Sequence, residues 1–290
     1  MFEGVLTALV TPFRNGAVDE QALTTLVERQ VAAGVDGLVP CGSTGESATM
    51  SHEEHNLVVR RVVEAAAGRV SVVAGTGSNN TQEAIHLTRH AKEAGADGAL
   101  LISPYYNKPT QAGLVAHFEA VARETAFPLI VYNIPGRTAS NIAPETLARL
   151  SENEHIVGVK ESCGELDQIA HVIAQCAPDF SVLTGDDALA LAVTAIGGNG
   201  GISTSSNVAP ELVRDLIQAA RSGDFERART LHYKLLPLFD VLFCETNPIP
   251  VKAAVSLLGL CGDEIRLPMT PITPPNLERL RMVLKDLELL

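Results

Sequence analysis

The sequence predicts an α/β fold, a (β/α)8 barrel of the TIM type with a C-terminal helical extension. Three observations carry this. Eight short apolar runs recur between Val5 and Ser203. Amphipathic stretches of helical period separate them. The same glycine punctuation closes three of those stretches, as expected of stacked strand-helix units.

The strand candidates are Val5 to Val10, Gly37 to Pro40, Val70 to Ala74, Gly98 to Ile102, Pro128 to Tyr132, Ile156 to Lys160, Ser181 to Thr184 and Gly200 to Ser203. Most are nearly all apolar, which suits parallel strands buried on both faces. The helix candidates include Asp19 to Ala33, Ser51 to Ala67, Thr81 to Ala94 and Thr110 to Thr125. Several open with Asp, Ser or Thr followed by Glu or Gln, the sequence form of an N-cap. Examples are Ser51-His52-Glu53-Glu54 and Thr81-Gln82-Glu83. Glycine punctuation follows at Gly34, Gly95 and Gly197. A doubly wound open sheet is the alternative architecture. After Ser206 no strand is expected. Residues 1–223 read as the barrel and 224–290 as a helical extension, broken by Pro237, Pro248, Pro250 and the run from Pro268 to Pro275.

Composition narrows the function. The net charge of -12 and pI near 5.1 exclude a nucleic-acid binder, which needs a basic face. No apolar run approaches the ~20 residues that span a membrane. Met1-Phe2-Glu3-Gly4 lacks a basic start and apolar stretch, so no signal peptide is expected and the cytoplasm is the expected compartment. The five cysteines form no C-x-x-C pair and read as free, mostly buried thiols. Cys41 and Cys163 read as small core residues.

In a barrel of this kind, chemistry sits at the C-terminal ends of the strands. There the sequence places Ser43 and Thr44 after the second strand, Tyr105 and Tyr106 after the fourth, Tyr132 and Arg137 after the fifth, Lys160 at the end of the sixth, and Gly185 after the seventh. Lys160 is the only one of six lysines that ends an apolar strand. Burial favours the neutral amine, and a neutral amine is a nucleophile for carbonyls. The bland alternative is a structural lysine paired with Glu161. Tyr106, Tyr132 and Ser43 offer hydroxyls that pass protons without permanent charge. Arg137 suits a carboxylate, and Gly42 to Gly45 offers N–H groups and hydroxyls for another. These residues point to a Schiff base between Lys160 and a small keto acid. No cofactor or metal is expected. His52 and His55 read as a partly exposed helix face, Asp186-Asp187 as a helix cap, and Gly197 to Gly201 as a turn on the far, stability face.

Together these segments resemble the dihydrodipicolinate synthase / N-acetylneuraminate lyase family of class I aldolases. The carriers are GSTGES (Gly42 to Ser47), AGTGSN (Ala74 to Asn79), SPYYNKP (Ser103 to Pro109), YNIPGRT (Tyr132 to Thr138), GVKES (Gly158 to Ser162), TGDD (Thr184 to Asp187) and NPIPVK (Asn247 to Lys252). They span nearly the whole chain, and SPYYNKP and YNIPGRT look like the synthase branch. The resemblance implies that pyruvate condenses with Lys160 and that Tyr132 assists. It implies a relay of Ser43, Tyr132 and Tyr106, with Tyr106 reaching in from a neighbouring subunit of a homotetramer, a dimer of dimers. Thr44 would bind the pyruvate carboxylate, Arg137 the carboxylate of L-aspartate 4-semialdehyde, and Gly185 and Ile202 would line the site through backbone groups. The product would feed diaminopimelate and lysine synthesis. Ser47, Ala48, His52, His55, Asn79, Glu83 and Tyr105 match a pocket for L-lysine as feedback inhibitor. The synthases usually carry threonine where Ser43 stands; serine keeps the hydroxyl and loses the methyl that restrains χ1. Two other readings stay open: a sialate or keto-sugar-acid lyase, and a keto-acid-binding regulator without turnover.

Overall fold

The computed structural model describes residues 2–290; Met1, part of the N-terminal stretch read above, lies outside the described residues. Eight parallel strands close into a barrel: β1 Gly4–Ala8, β2 Gly37–Val39, β3 Ser71–Gly75, β4 Gly98–Ile102, β5 Leu129–Asn133, β6 Ile156–Glu161, β7 Ser181–Thr184 and β8 Gly200–Ser203. β1 pairs with both β2 and β8, so the sheet has no edge and the open-sheet alternative is set aside. The observed strands match the expected runs to within a residue or two. A two-residue hairpin, Phe13–Arg14 with Ala17–Val18, lies outside the barrel and was not anticipated.

Helices α1 Glu20–Ala33, α2 His52–Ala66, α3 Thr81–Glu93, α4 Gln111–Thr125, α5 Pro144–Leu150, α6 Leu166–Gln175, α7 Ala190–Ala195 and α8 Pro210–Arg221 follow the strands in turn. Local chemistry sets their ends. Asp19 accepts from Ala22 N, and Ser51 and Glu54 form a full capping box. The cap of α3 is Asn80, one residue before the expected Thr81; Thr81 instead hydrogen-bonds His117. Gly34 adopts a left-handed conformation (φ 74°) as the C-cap of α1, which a side chain would resist. The extension consists of α9 Phe225–Val241, α10 Ile249–Leu257 and α11 Pro274–Asp286. Pro237 does not break α9 as expected. The helix runs through it, and the carbonyl of Tyr233, which loses its i+4 donor, lies on a residue that is 68% exposed.

Strand alternation divides the core in two. Leu6, Val39, Leu100, Ile130, Leu183 and Ile202 fill the barrel interior. Val5, Leu38, Leu101, Val131 and Val159 point outward into the helical shell. Each fully buried Leu, Ile or Val contributes roughly 1.5–3 kcal/mol. Among the described residues no helix is long and apolar enough to cross a membrane. The five cysteines are free, but only Cys41 is buried; the other four are partly exposed, contrary to expectation.

The extension is tied to the barrel by a buried ion pair. Lys252 on α10 meets Glu46, at the end of the Gly42 to Gly45 turn, with both side chains 2% exposed. Lys252 Nζ also lies 4.2 Å from the centroid of the Phe13 ring. Burial pushes the Lys252 ammonium down from its usual range, and Glu46 opposes that shift. Removing one member strands the other charge. Glu46→Gln is therefore expected to cost about 3–5 kcal/mol in urea unfolding, with part recovered in Glu46→Gln combined with Lys252→Met. A single-variant loss below about 1 kcal/mol would contradict this account.

Candidate active site

The register of β5 and β6 builds the centre of the site. Tyr132 pairs with Lys160, and Lys160 pairs with Leu183 on β7. All three side chains face the barrel interior, because inward and outward positions alternate along each strand. Glu161 therefore points the other way, where it accepts from Asn133 Nδ2 at 2.9 Å and from Cys163 N at 3.0 Å. The structural pairing of Lys160 with Glu161 is thereby excluded.

Lys160 is 6% exposed, as is Tyr132, and Nζ lies 4.3 Å from the Tyr132 ring centroid. Room for this side chain comes from Gly185. A Cβ at position 185 would lie 2.5 Å from Lys160 Cε and 2.0 Å from Ser162 Oγ. Gly185 N donates to Glu161 O at 2.8 Å, which ties the close approach to the backbone of β6.

Above Lys160 opens a cavity of about 470 Å³. Ala8, Val39 and Leu100 lie among its apolar walls, and Ser43, Thr44, Tyr132, Lys160 and Thr204 supply polar groups. Thr44 is buried, and its Oγ1 accepts from Asn247 Nδ2 at 3.0 Å. Arg137 stands on the single helical turn Pro135–Thr138, rather than the expected loop, and Nη2 donates to Asn247 O at 2.9 Å. Asp186 also borders the cavity. It caps the turn before α7 as expected, accepting from Ala188 N at 3.1 Å. Burial raises its carboxyl above the usual range. Asp187 does something else: Oδ2 accepts from Thr204 N, Ser205 N and Ser205 Oγ, which fixes the loop after β8.

The structure thus brings Lys160, Tyr132, Ser43, Thr44, Arg137 and Gly185 around one cavity. Ile202 is fully buried, and its side chain belongs to the core layer beside Tyr132 and Leu183. Tyr106 is not in the cavity. It sits on an exposed loop, 89% accessible, with φ at 72°. Phe239, Asp240, Phe243 and Asn247 were not anticipated as lining residues. Asn247 opens one of the motifs quoted above, a signal that could have found it. The other three come from α9 and the turn after it, and reach the site only through packing.

The remaining residues gather between α2, α3 and the loop after β4. Ser47 and Ala48 lie on the turn ahead of α2. His52 Nε2 meets Glu83 Oε1 at 2.9 Å, and Ser78 donates to the same carboxylate. Hydrogen bonds from Ser78 and then His52 hold the Glu83 carboxyl below its usual range. Asn79 Nδ2 donates to Tyr105 O at 3.1 Å. His55 is buried rather than on an exposed face, with Nε2 against Gly75 O at 2.7 Å; burial lowers its pKa. Among the described residues no group of three or more His, Cys, Asp or Glu is arranged to hold a metal. The glycines from 197 to 201 lead into β8 at its N-terminal end; a Cβ at Gly200 would lie 2.0 Å from Gly4 O.

Known proteins resemble this chain in sequence and fold. The sequence pattern of the Dihydrodipicolinate synthetase family matches residues 1–287. A 4-hydroxy-tetrahydrodipicolinate synthase of Nitratidesulfovibrio vulgaris (strain DSM 19637 / Miyazaki F) is 55% identical over 284 residues, covering 98% of this chain and 97% of that protein. The crystal structure of a chloride-inhibited dihydrodipicolinate synthase from Acinetobacter baumannii, complexed with pyruvate, matches with a TM-score of 0.98 at 42% identity over 100% of both chains. A synthase structure from Cyanidioschyzon merolae with lysine bound matches with a TM-score of 0.97 at 41% identity, over 100% of this chain and 99% of that one. A closed barrel with a buried lysine beside a tyrosine, and likeness over the full chain, place this protein in one lineage: the chain belongs to the dihydrodipicolinate synthetase family.

Proposed function

We propose that the chain catalyses the 4-hydroxy-tetrahydrodipicolinate synthase reaction, condensing pyruvate with L-aspartate 4-semialdehyde through a Schiff base on Lys160, in the diaminopimelate route to lysine. The observation that carries this is the buried amine of Lys160 beside Tyr132 at a cavity that also holds Ser43, Thr44 and Arg137. Among the described residues, Lys160 makes no ion pair that would hold it as a structural cation. The amine adds to the keto carbon of pyruvate and water leaves, forming the iminium. Loss of a methyl proton yields the enamine, whose carbon attacks the aldehyde of the second substrate. Tyr132 and Ser43 stand at the cavity for these proton transfers.

Two carboxylate holders fit the two substrates. Thr44 and the adjoining glycine turn suit pyruvate, with Gly185 and the backbone at Ile202 completing the site. Arg137 at the mouth suits the semialdehyde by charge-assisted hydrogen bonds. A sialate or sugar-acid substrate would want hydroxyl partners there, and the named relatives are synthases. Residues 1–223 would then carry the chemistry and 224–290 complete the cavity wall. Tyr106, too exposed to serve its own cavity, would complete the relay of a neighbouring subunit in a homotetramer built as a dimer of dimers. The cytoplasm is the compartment in which this anabolic chemistry is placed. The lysine-bound relative supports L-lysine as inhibitor at Ser47, Ala48, His52, His55, Asn79, Glu83 and Tyr105, with Glu83 receiving the ammonium.

Borohydride trapping with pyruvate is expected to give a single adduct, mapped by mass spectrometry to Lys160 and absent in Lys160→Ala; an adduct on another lysine would end this mechanism. Gly185→Ala forces a methyl against Lys160 Cε, so kcat should fall by about 100-fold or more. A rate near wild type would mean the lysine needs no such space. Millimolar L-lysine should slow the coupled assay and lose its effect in Glu83→Ala; an unchanged wild-type rate removes the inhibitor site.

A further inference from the structure

Asn247 belongs to the turn between α9 and α10, on the extension, yet it lines the cavity and is 6% exposed. Its Nδ2 donates to Thr44 Oγ1 at 3.0 Å. Its backbone carbonyl accepts from Arg137 Nη2 at 2.9 Å. One residue therefore touches both groups assigned above to the substrate carboxylates.

The direction of the first bond matters. A threonine hydroxyl has one proton and two lone pairs. A donor on one lone pair leaves the proton of Thr44 free to be given away. Its other hydroxyl neighbour, Thr204 Oγ1, lies at 3.5 Å, too far for a strong bond. The proton is thus available to a carboxylate entering the cavity. Asn247 Oδ1, meanwhile, is buried without a hydrogen-bond partner. A buried acceptor left unpaired costs free energy and calls for an explanation. Turned the other way, the amide would satisfy that oxygen with the Thr44 proton, and Thr44 would cease to be a donor.

We propose that Asn247 is a positioning residue that holds Thr44 as a hydrogen-bond donor toward the keto-acid carboxylate, and so sets affinity for the first substrate. It acts through Thr44 and does not touch the reacting carbons. The inference rests on the reading of Thr44 as the pyruvate carboxylate holder.

Two variants keep the size of the side chain. Asn247→Asp replaces the donor with an acceptor that takes the Thr44 proton and adds negative charge near the carboxylate. Asn247→Leu only removes the bond. Both keep the backbone carbonyl that holds Arg137. Pyruvate half-saturation, by initial rates and by borohydride trapping, should rise about tenfold or more in Asn247→Asp and less in Asn247→Leu. In Asn247→Leu the rise in pyruvate half-saturation should exceed any change in kcat or in KM for the semialdehyde. On a Thr44→Val background, Asn247→Leu should add little further loss, since the shared partner is already gone. Unchanged pyruvate saturation in both variants overturns the proposal, as does a parallel rise in both KM values or full additivity with Thr44→Val. If Asn247→Asp does not fold, Asn247→Leu and the double variant decide alone. A wild-type enzyme that forms no adduct with pyruvate at Lys160 would fail the underlying reading instead, before any variant is compared.

Discussion

The whole site is built around Lys160, an amine held only 6% exposed where the barrel interior meets the cavity. A fully desolvated ammonium without partners is among the least stable groups a protein can bury. Here the nitrogen lies 4.3 Å from the centroid of the Tyr132 ring, and among the described residues it forms no ion pair with a carboxylate. The ring face is a weak substitute for hydration, since a cation–π contact is worth about 0.5–2 kcal/mol. The one nearby carboxylate in sequence, Glu161, is turned outward by strand alternation and occupied by Asn133 and Cys163 N. That separation follows directly from the two-residue period of β6.

Space is the second requirement, and it comes from a different strand. Gly185 lies against Lys160 Cε at a distance no side chain could share. The lysine is thus clasped between a tyrosine on β5 and a bare backbone after β7. Neither neighbour is close in sequence. A closed barrel brings them together because each strand end faces the same rim.

The extension does more than cap the barrel. Phe239, Asp240, Phe243 and Asn247 complete the cavity wall, and Asn247 joins Thr44 to Arg137. The buried Lys252–Glu46 pair locks α10 to the turn that carries Ser43 and Thr44. Arg266 reinforces that joint, with its N–H donating to Glu46 Oε2 at 3.1 Å and its guanidinium 4.0 Å from the Phe13 ring centroid. Buried charge is costly to strand, so a shift of the extension would be felt at the turn that holds Thr44.

The sequence by itself determined the barrel, most strand and helix limits, and the place of one lysine at the rim. These are local properties: apolar runs of strand length, caps such as Ser51 with Glu54, glycines at helix ends, and a lone lysine closing an apolar strand. Residues on strand ends, such as Tyr132 and Lys160, were legible because strand position alone sends them to the rim. Only the tertiary structure decided the rest. Pro237 continues α9 instead of ending it, Tyr106 stays outside its own cavity, and His55 is buried against Gly75 rather than displayed. Phe239, Asp240 and Phe243 carried no local sign of their role, and Asn247 only its place at the head of a motif. Their contacts join segments about 100–200 residues apart in sequence, and such pairings are set by packing and charge burial rather than by any pattern along the chain.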